Sequence, residues 1–229
     1  MCTSSVRCGG MSRPRRIPHA TVARLPEYLR ILVELAHSQH DTVSSGRLAD
    51  LGGFNAAKVR KDLSYLGSYG TRGVGYDVLG LLDEVREALG LTAARGVVVV
   101  GAGNLGRALA NYSGFEERGF PVLALVDADV DKVGTRVGQL EVRHADELPA
   151  LVIELGLRIG VIAVPSATAQ DAADRLVSAG LKALLNFAPS HVSAPPKVAM
   201  RRVDLARELQ VLSFYEHQLG TSAPGEPAR

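Results

Sequence analysis

Apolar residues in the first third of the chain recur at the spacing of an α-helix. From about Ala20 onward every third or fourth position is apolar, which predicts one amphipathic helix reaching about residue 37. The residues of this apolar stripe are Val22, Leu25, Leu29, Leu32, Val33 and Ala36. A polar connection from His37 to Thr42 follows.

Two shorter helices and a glycine-rich segment are predicted next. Ser44 and Ser45 are good N-cap residues for a helix that Gly52-Gly53 ends, and Asn55 can cap a third helix running to about Leu66. The segment 67–78 is rich in glycine and contains Tyr69, Arg72 and Tyr76, which is typical of a β-hairpin. A further amphipathic helix is predicted over 79–89.

After Gly96 short apolar runs alternate with helical patterns. The predicted strands are 97–100, 122–126, 159–164 and 183–186, and the intervening helices include 145–155 and 167–179. Strands that alternate with helices predict a parallel sheet covered on both faces, so the chain is expected to be an α/β protein.

The change of pattern divides the chain. We expect a flexible basic arm over 1–17, an N-terminal domain over 18–92, a doubly wound Rossmann-like domain over 93–204, a dimerisation helix over 205–220 and a disordered tail over 221–229. The last helix is assigned to dimerisation because Leu209, Leu212, Phe214 and Leu219 are apolar, and few residues remain for a separate substrate domain.

The charge distribution agrees with this division. Residues 1–75 hold 11 Lys/Arg against 5 Asp/Glu, while the remaining residues hold 15 against 19. A basic front part on an acidic remainder favours contact with nucleic acid by one part only, although 21 of the 26 basic residues are Arg, so base composition of the genome is an alternative explanation. No apolar run approaches the ~18 residues of a membrane span, and we expect a cytoplasmic protein that does not contact membranes.

A glycine motif marks the first strand-to-helix turn of the second part. Gly101, Ala102, Gly103, Asn104, Leu105 and Gly106 form a GxGxxG directly after strand 97–100. Such glycines permit a tight turn, approach of the backbone to a pyrophosphate and close helix–strand packing.

An acid follows the second strand of this part. Asp127 lies 21 residues beyond Gly106, where a carboxylate accepts hydrogen bonds from an adenosine ribose and repels a 2′-phosphate. The motif and the acid together predict a site for NAD(H), with a solvated acidic loop at Asp127, Asp129 and Asp131 as the alternative.

Two later loops are assigned to the same site. Pro165 follows strand 159–164, and Asn186 with Ala188 follows strand 183–186, where ligands bind in such sheets. Ordinary turn chemistry explains these residues equally well.

The third predicted helix carries a basic face. Val59, Leu63 and Leu66 share its apolar side, while Lys61 and Ser64 point the other way with Lys58 and Arg60 on the shoulders. Together with the preceding short helix this resembles a helix-turn-helix, with the glycine-rich segment as a wing, so residues 18–92 are predicted to form a winged-helix DNA-binding domain. Lys58, Arg60, Lys61, Ser64, Tyr69, Arg72 and Tyr76 are the predicted DNA-binding residues. The alternative is a solvated helix face.

Residues 59–76, VRKDLSYLGSYGTRGVGY, closely resemble the recognition helix and wing of the Rex family of bacterial redox-sensing transcriptional repressors. The resemblance continues through the glycine motif, Ala110-Asn111-Tyr112, Asp127 with residues 131–134, and residues 186–189, and covers roughly 17–219. It implies a homodimer with exchanged C-terminal helices that binds operator DNA and releases it when NADH rises relative to NAD+, both acting as ligands.

The resemblance also implies roles for single residues. Arg60, Lys61 and Ser64 would enter the major groove and the wing the minor groove. Arg30, Tyr112 and Asp204 match family positions that link the nicotinamide region to the DNA-binding domain, and Tyr112 is also assigned to cofactor binding. Family members carry an aromatic residue after the aspartate in some cases, whereas Leu205 stands here.

Two other functions stay open. An NAD-dependent oxidoreductase would need a catalytic proton donor, and no histidine lies in a pattern that marks one. A regulator that binds coenzyme A or another nucleotide without redox discrimination would share the fold. We predict no enzyme, no catalytic residues and no metal site, since Cys2 and Cys8 lie outside any metal-binding pattern.

Overall fold

The structure is a computed structural model that describes residues 17–68 and 70–221. Its contacts divide the chain into two compact units, 1–93 and 94–229. The expected arm and tail fall outside the described residues except at Ile17 and Thr221, and Tyr69 lies outside them as well.

The described part of the first unit contains five helices and one small sheet. In chain order these are α1 His19–Val22, α2 Leu25–His37, β1 Thr42–Val43, α3 Ser45–Gly52, α4 Ala56–Leu66, β2 Tyr76–Asp77 and α5 Val78–Ala88. The Ser44 side chain caps α3 by accepting from the Arg47 amide, and Asn55 caps α4 by accepting from the Ala57 amide. Gly53 and Gly67 end these two helices in the left-handed conformation, which glycine adopts without strain.

The prediction of one uninterrupted first helix is wrong. The helix is interrupted between Val22 and Leu25, because Pro26 has no amide to donate and its ring would clash with the Val22 carbonyl in a continuous helix. Val22, assigned to the apolar stripe, is 41% exposed, whereas Tyr28, Ile31 and Leu35 are buried with Leu25 and Leu32.

The predicted hairpin over 67–78 is also wrong in its pairing. Within the described residues of this segment, a single antiparallel bridge joins Thr71 and Gly75. Strand β2 pairs instead with β1, which the sequence pattern placed at the end of a polar connection. Gly75 makes this possible, because a Cβ there would lie 2.4 Å from the Val43 carbonyl oxygen.

The second unit is built on a seven-stranded sheet. Its elements are β3 Gly96–Val100, α6 Asn104–Ala110, α7 Ser113–Glu116, β4 Val122–Asp127, β5 Arg136–Val137, β6 Leu140–His144, α8 Leu148–Glu154, β7 Leu157–Ile162, α9 Ala169–Ser178, β8 Ala183–Asn186, β9 Ala199–Arg202 and α10 Leu205–Thr221. The strand order is β5-β6-β4-β3-β7-β8-β9, and only the β5–β6 pair is antiparallel among these neighbours.

The sheet is covered on both faces, as the sequence predicts. Val97 and Val99 of β3 belong to one buried cluster, and Val98 and Val100 belong to another. A strand buried on both sides reads as an unbroken apolar run, which explains why β3 was identified from sequence. The predicted doubly wound parallel sheet is confirmed, with β5, β6 and β9 as additions.

Helix α10 differs from the other helices of the second unit. Its apolar side chains Leu205, Leu209, Leu212, Phe214 and Leu219 are each more than half exposed. No helix in the described part of the chain combines the length and hydropathy that crossing a bilayer requires.

Candidate functional site

The glycine motif forms a close-packed turn between β3 and α6. Gly101 has a φ of 105°, and a Cβ there would lie 2.5 Å from the Ala163 carbonyl oxygen. A Cβ on Gly106 would lie 1.7 Å from the Gly101 carbonyl oxygen, whereas a Cβ on Gly103 would meet no atom within 4 Å. Gly101 and Gly106 therefore serve the fold, and Gly103 leaves open space beside the turn.

Asp127 is tied to this turn. The Ala102 amide donates to its Oδ2 over 2.7 Å, and the Asp129 amide donates to its Oδ1 over 2.9 Å. Burial opposes ionisation of the carboxyl, but these amides and the Lys132 ammonium outweigh it, so the pKa of Asp127 is lowered. The alternative of a solvated acidic loop is wrong for Asp127, which is 9% exposed.

Lys132 and Arg107 join this site without having been predicted. The Lys132 ammonium lies 3.2 Å from Asp127 and from Asp129. The Arg107 Nε donates to the Ala102 carbonyl over 3.1 Å. Arg107 lies one turn into the helix that follows the glycines, and Lys132 lies five residues after Asp127. A basic residue this close to the motif or to the acid was the available signal in the sequence.

The other predicted residues of α6 and its end are accessible. Asn104 and Leu105 lie at the start of the helix, and both are exposed. Tyr112 follows α6, is 53% exposed, and contacts Phe115 edge-to-face with 5.1 Å between ring centroids.

The loops after β7 and β8 lie at the same edge of the sheet as the glycine turn. Ile162 pairs with Val100 on one side and with Asn186 on the other, so the three strands end together. Pro165 precedes a short 3-10 turn.

Asn186 and Ala188 are each 1% exposed, and the Asn186 Oδ1 accepts from the Ala188 amide over 2.8 Å. Asn186 therefore shapes this loop from inside.

The two residues assigned to coupling are held by local contacts. Asp204 accepts from the Arg207 amide over 3.2 Å, which caps α10, and from the Arg202 Nη2 over 2.8 Å. Arg30 forms exposed ion pairs with Glu27 and Glu34 on α2.

The predicted basic face of α4 is present. Lys58, Arg60 and Lys61 are exposed, and the Ser64 hydroxyl donates to the Lys61 carbonyl over 2.7 Å. The Arg60 Nη1 donates to the Ser45 Oγ at the start of α3 over 3.1 Å. The structure thus brings α3, α4 and the wing turn together, with Arg72 exposed on that turn and Tyr76 half-buried at its base.

A buried polar cluster behind α4 was missed. Asp62 is 2% exposed and accepts from the Arg24 Nε over 2.6 Å, from the Thr21 hydroxyl over 2.8 Å and from the Tyr28 hydroxyl over 2.8 Å. Burial opposes ionisation, but these donors outweigh it and lower the pKa of Asp62. The available signal was an acid beside Leu63 on the inward side of an amphipathic helix.

Within 17–68 and 70–221, no three His, Cys, Asp or Glu side chains are grouped as metal ligands.

Two family models match parts of the chain. One is described as a putative DNA-binding protein N-terminus and matches residues 16–64. The other is described as a CoA binding domain and matches residues 92–190.

Relatives match over most of the length. A protein of Streptomyces coelicolor named redox-sensing transcriptional repressor Rex is 54% identical over 207 residues, which are 90% of this chain and 80% of that protein. The crystal structure of RSP, a Rex-family repressor, in complex with β-NAD+ and operator DNA has 34% identity and a TM-score of 0.82, covering 93% of this chain and 99% of RSP. Its complex with β-NADH has 33% identity and a TM-score of 0.79, covering 90% and 98%.

Proposed function

Because the chain belongs to the Rex family of redox-sensing transcriptional repressors, we propose that it binds operator DNA and releases it when NADH binds. The observation that carries this proposal is the glycine turn with its tethered acid, following an N-terminal unit that exposes a basic helix beside a wing. Such a protein is a regulator rather than an enzyme. A repressor shares a compartment with its operator, so we place it in the cytoplasm.

The residues at the carboxyl ends of β3, β4, β7 and β8 fit a dinucleotide. The open space beside Gly103 leaves the backbone accessible to a pyrophosphate, with Asn104 and Leu105 at the same turn. Asp127 would accept from the adenosine ribose, and since three contacts already occupy its carboxylate, acceptor capacity for about one more hydrogen bond remains. Tyr112, Pro165, Asn186 and Ala188 are assigned to the nicotinamide end, where the two buried residues act by holding their loop.

The negative charge of Asp127 selects against a 2′-phosphate. Its lowered pKa keeps the carboxylate ionised at neutral pH, so we propose NAD(H) rather than NADP(H) as the ligand. Coenzyme A, named by the matching family model, is the comparison ligand that tests this choice.

Helix α4 is assigned to the major groove and the wing to the minor groove. The residues assigned to DNA contact are Lys58, Arg60, Lys61 and Ser64 on α4, with Tyr69, Arg72 and Tyr76 of the wing. Exposed cations supply the attraction to DNA phosphates, and hydrogen bonds to base edges supply selectivity. Tyr76 can contribute only part of its side chain, because it is half-buried.

We propose a homodimer in which α10 is exchanged between subunits, since its exposed apolar side chains need a covering surface. Arg30, Tyr112 and Asp204 are proposed to transmit the nucleotide state on the resemblance alone. A dry pocket between subunits favours the neutral reduced ring over the positively charged oxidised ring, because desolvating an unpaired charge is costly.

The test is operator binding followed by fluorescence anisotropy at fixed salt, with a palindromic A·T-rich duplex. NADH, NAD+ and coenzyme A are titrated separately into the complex. Release at a much lower concentration of NADH than of NAD+, with coenzyme A inert, supports the proposal. Equal release by NADH and NAD+ contradicts redox sensing, and turnover of alcohols or hydroxy acids with NAD+ supports an oxidoreductase.

A further inference from the structure

An open cleft of about 300 Å³ lies in the first unit between α3, α4 and the wing turn. Ser44 and Ser45 form one side, Arg60 lies in the cleft, and the wing segment Gly70–Tyr76 forms the other side. The described lining residues include two arginines and four hydroxyl groups but no acid. This chemistry favours an anion.

The Arg60 guanidinium is directed into this cleft by a specific contact. Its Nη1 donates to the Ser45 Oγ over 3.1 Å, which turns the side chain toward α3. An arginine that reads guanine directs two N–H groups at the base edge, whereas the Nη1 of Arg60 is already engaged with Ser45 on α3.

The wing presents backbone rather than side chains at several points of the cleft. Gly70, Gly73 and Gly75 lie in its wall. A Cβ on Gly70 would lie 3.0 Å from the Gly75 carbonyl oxygen and from the Tyr76 ring, so a side chain at this position would crowd the turn. The resulting wall allows a ligand to approach the main chain closely.

The anion that fits this cleft is a phosphate of the DNA backbone. If α4 lies in a major groove and the wing in the adjoining minor groove, the sugar–phosphate strand that separates the two grooves has to pass between α4 and the wing. The cleft occupies that position in the first unit. The inference rests on the proposed DNA-binding function and concerns the role of Arg60 within it.

We propose that the cleft seats one phosphodiester linkage of this intervening strand, and that Arg60, supported by Ser45, contacts this phosphate rather than a base. Arg60 then sets affinity and register and is insensitive to sequence, while Lys61 and Ser64 at the centre of the exposed α4 face remain for base edges.

The experiment measures affinity of the full-length protein for operator and for unrelated duplex DNA across a series of KCl concentrations. R60Q is compared with R86Q, which removes the same charge from the exposed surface of α5. We expect R60Q to lower the affinity for operator and for unrelated DNA by the same factor of about ten. The slope of log affinity against log salt concentration should become less steep by about one per subunit. In R86Q, both affinities and the salt dependence should stay close to the wild-type values.

A second arm locates the phosphate. Operator duplexes carrying a single neutral methylphosphonate linkage are scanned along the strand between the two grooves. At one position, the neutral linkage should lower the operator affinity of the wild type by about tenfold. The same linkage should leave the affinity of R60Q unchanged and should lower that of S45A by an intermediate factor. Circular dichroism confirms that the variants fold.

Several results overturn the inference. If R60Q loses operator affinity but keeps its affinity for unrelated DNA and its salt slope, Arg60 reads a base. If R60Q responds to every methylphosphonate as the wild type does, the cleft holds no phosphate. If the wild type binds no duplex at any salt concentration, the proposed function itself fails, and the cleft assignment fails with it.

Discussion

Asp62 brings a carboxylate into the core of the first unit, directly behind the basic face of α4. Its donors come from α1, from α2 and from Arg24 between them, so the carboxylate fastens α4 to the N-terminal helices. Removing one member of a buried ion pair is strongly destabilising because the other member loses its partner. Loss of the Asp62 carboxylate therefore affects folding stability directly, and DNA binding only through the position of α4.

We predict that Asp62→Ala lowers the free energy of unfolding of the first unit by about 3 kcal/mol. Arg24 keeps 22% side-chain exposure, which places the expected loss at the lower end for buried pairs. Hydrogen exchange of amides in α2 and α4 measures the effect in this unit alone. The exposed Asp50→Ala on α3 is the control, and equal protection in both variants contradicts the prediction.

The same pair predicts a pH dependence. Because the folded protein lowers the pKa of Asp62, its stabilisation is fully present above the unfolded value of about 3.9 and is lost as the pH falls through the lower folded value. The difference in stability between wild type and Asp62→Ala should be constant from pH 7 to pH 5 and shrink below about pH 4. A difference that instead grows on acidification would rule out an ionised Asp62.

Two glycines of the GxGxxG motif should respond differently to alanine. Gly106→Ala places a Cβ against the Gly101 carbonyl, so it should destabilise the second unit by about 3 kcal/mol. Gly103→Ala meets no atom and should cost less than about 1 kcal/mol, yet its methyl group occupies the open space assigned to the pyrophosphate. Urea denaturation measures the loss of stability of each variant, and NADH titration measures its affinity. Unchanged NADH affinity in Gly103→Ala would show that the pyrophosphate does not bind at this turn.

The nearness of the glycine turn to Asp127 could be predicted because spacing along the chain carries that signal. The glycines and Asp127 follow predicted strands at fixed intervals, and the structure joins Ala102 to Asp127 directly. Asp62 was missed because its partners lie 34 to 41 residues away. An acid on an amphipathic helix looks solvated until the packing of other helices is known.

At the scale of elements, prediction depended on whether local chemistry decides the structure. Buried strands β3 and β4 and the capped helices α3 and α4 are set by local patterns, and their predictions were close to the observed bounds. The pairing of β1 with β2 is decided by contact across more than 30 residues, so the wing was mistaken for a hairpin. Pro26 is a sequence signal for the interruption before α2, but the prediction of one helix followed the apolar spacing instead.

Helix α10 carries the prediction about assembly. Leu212 is 61% exposed on this helix, and dimerisation would bury it twice in a symmetric interface. We expect Leu212→Glu to raise the dimer dissociation constant at least about a hundredfold, because it removes apolar burial and adds two buried charges. Sedimentation equilibrium measures this change. Glu216→Gln on the same helix is the control, and a Leu212→Glu protein that remains dimeric would exclude this face of α10 from the interface.

At the scale of the whole molecule, the proposed function implies that nucleotide and DNA compete through one conformational equilibrium. If NADH weakens operator binding by a given factor, bound operator must weaken NADH binding by the same factor, typically 5- to 150-fold. We therefore predict equal factors from two separate titrations: operator into protein with and without saturating NADH, and NADH into protein with and without saturating operator.

Asp127→Ala separates the two halves of that cycle. The carboxylate lies in the second unit and is assigned to the ribose, so its loss should weaken NADH and NAD+ binding by a similar factor of about ten or more, the size of one hydrogen bond to a charged group. Operator affinity without nucleotide should stay at the wild-type value, while operator release should require proportionally more NADH. Lost operator affinity in nucleotide-free Asp127→Ala would mean that the carboxylate sets the DNA-binding conformation itself, and its contact with Ala102 would then be part of the switch.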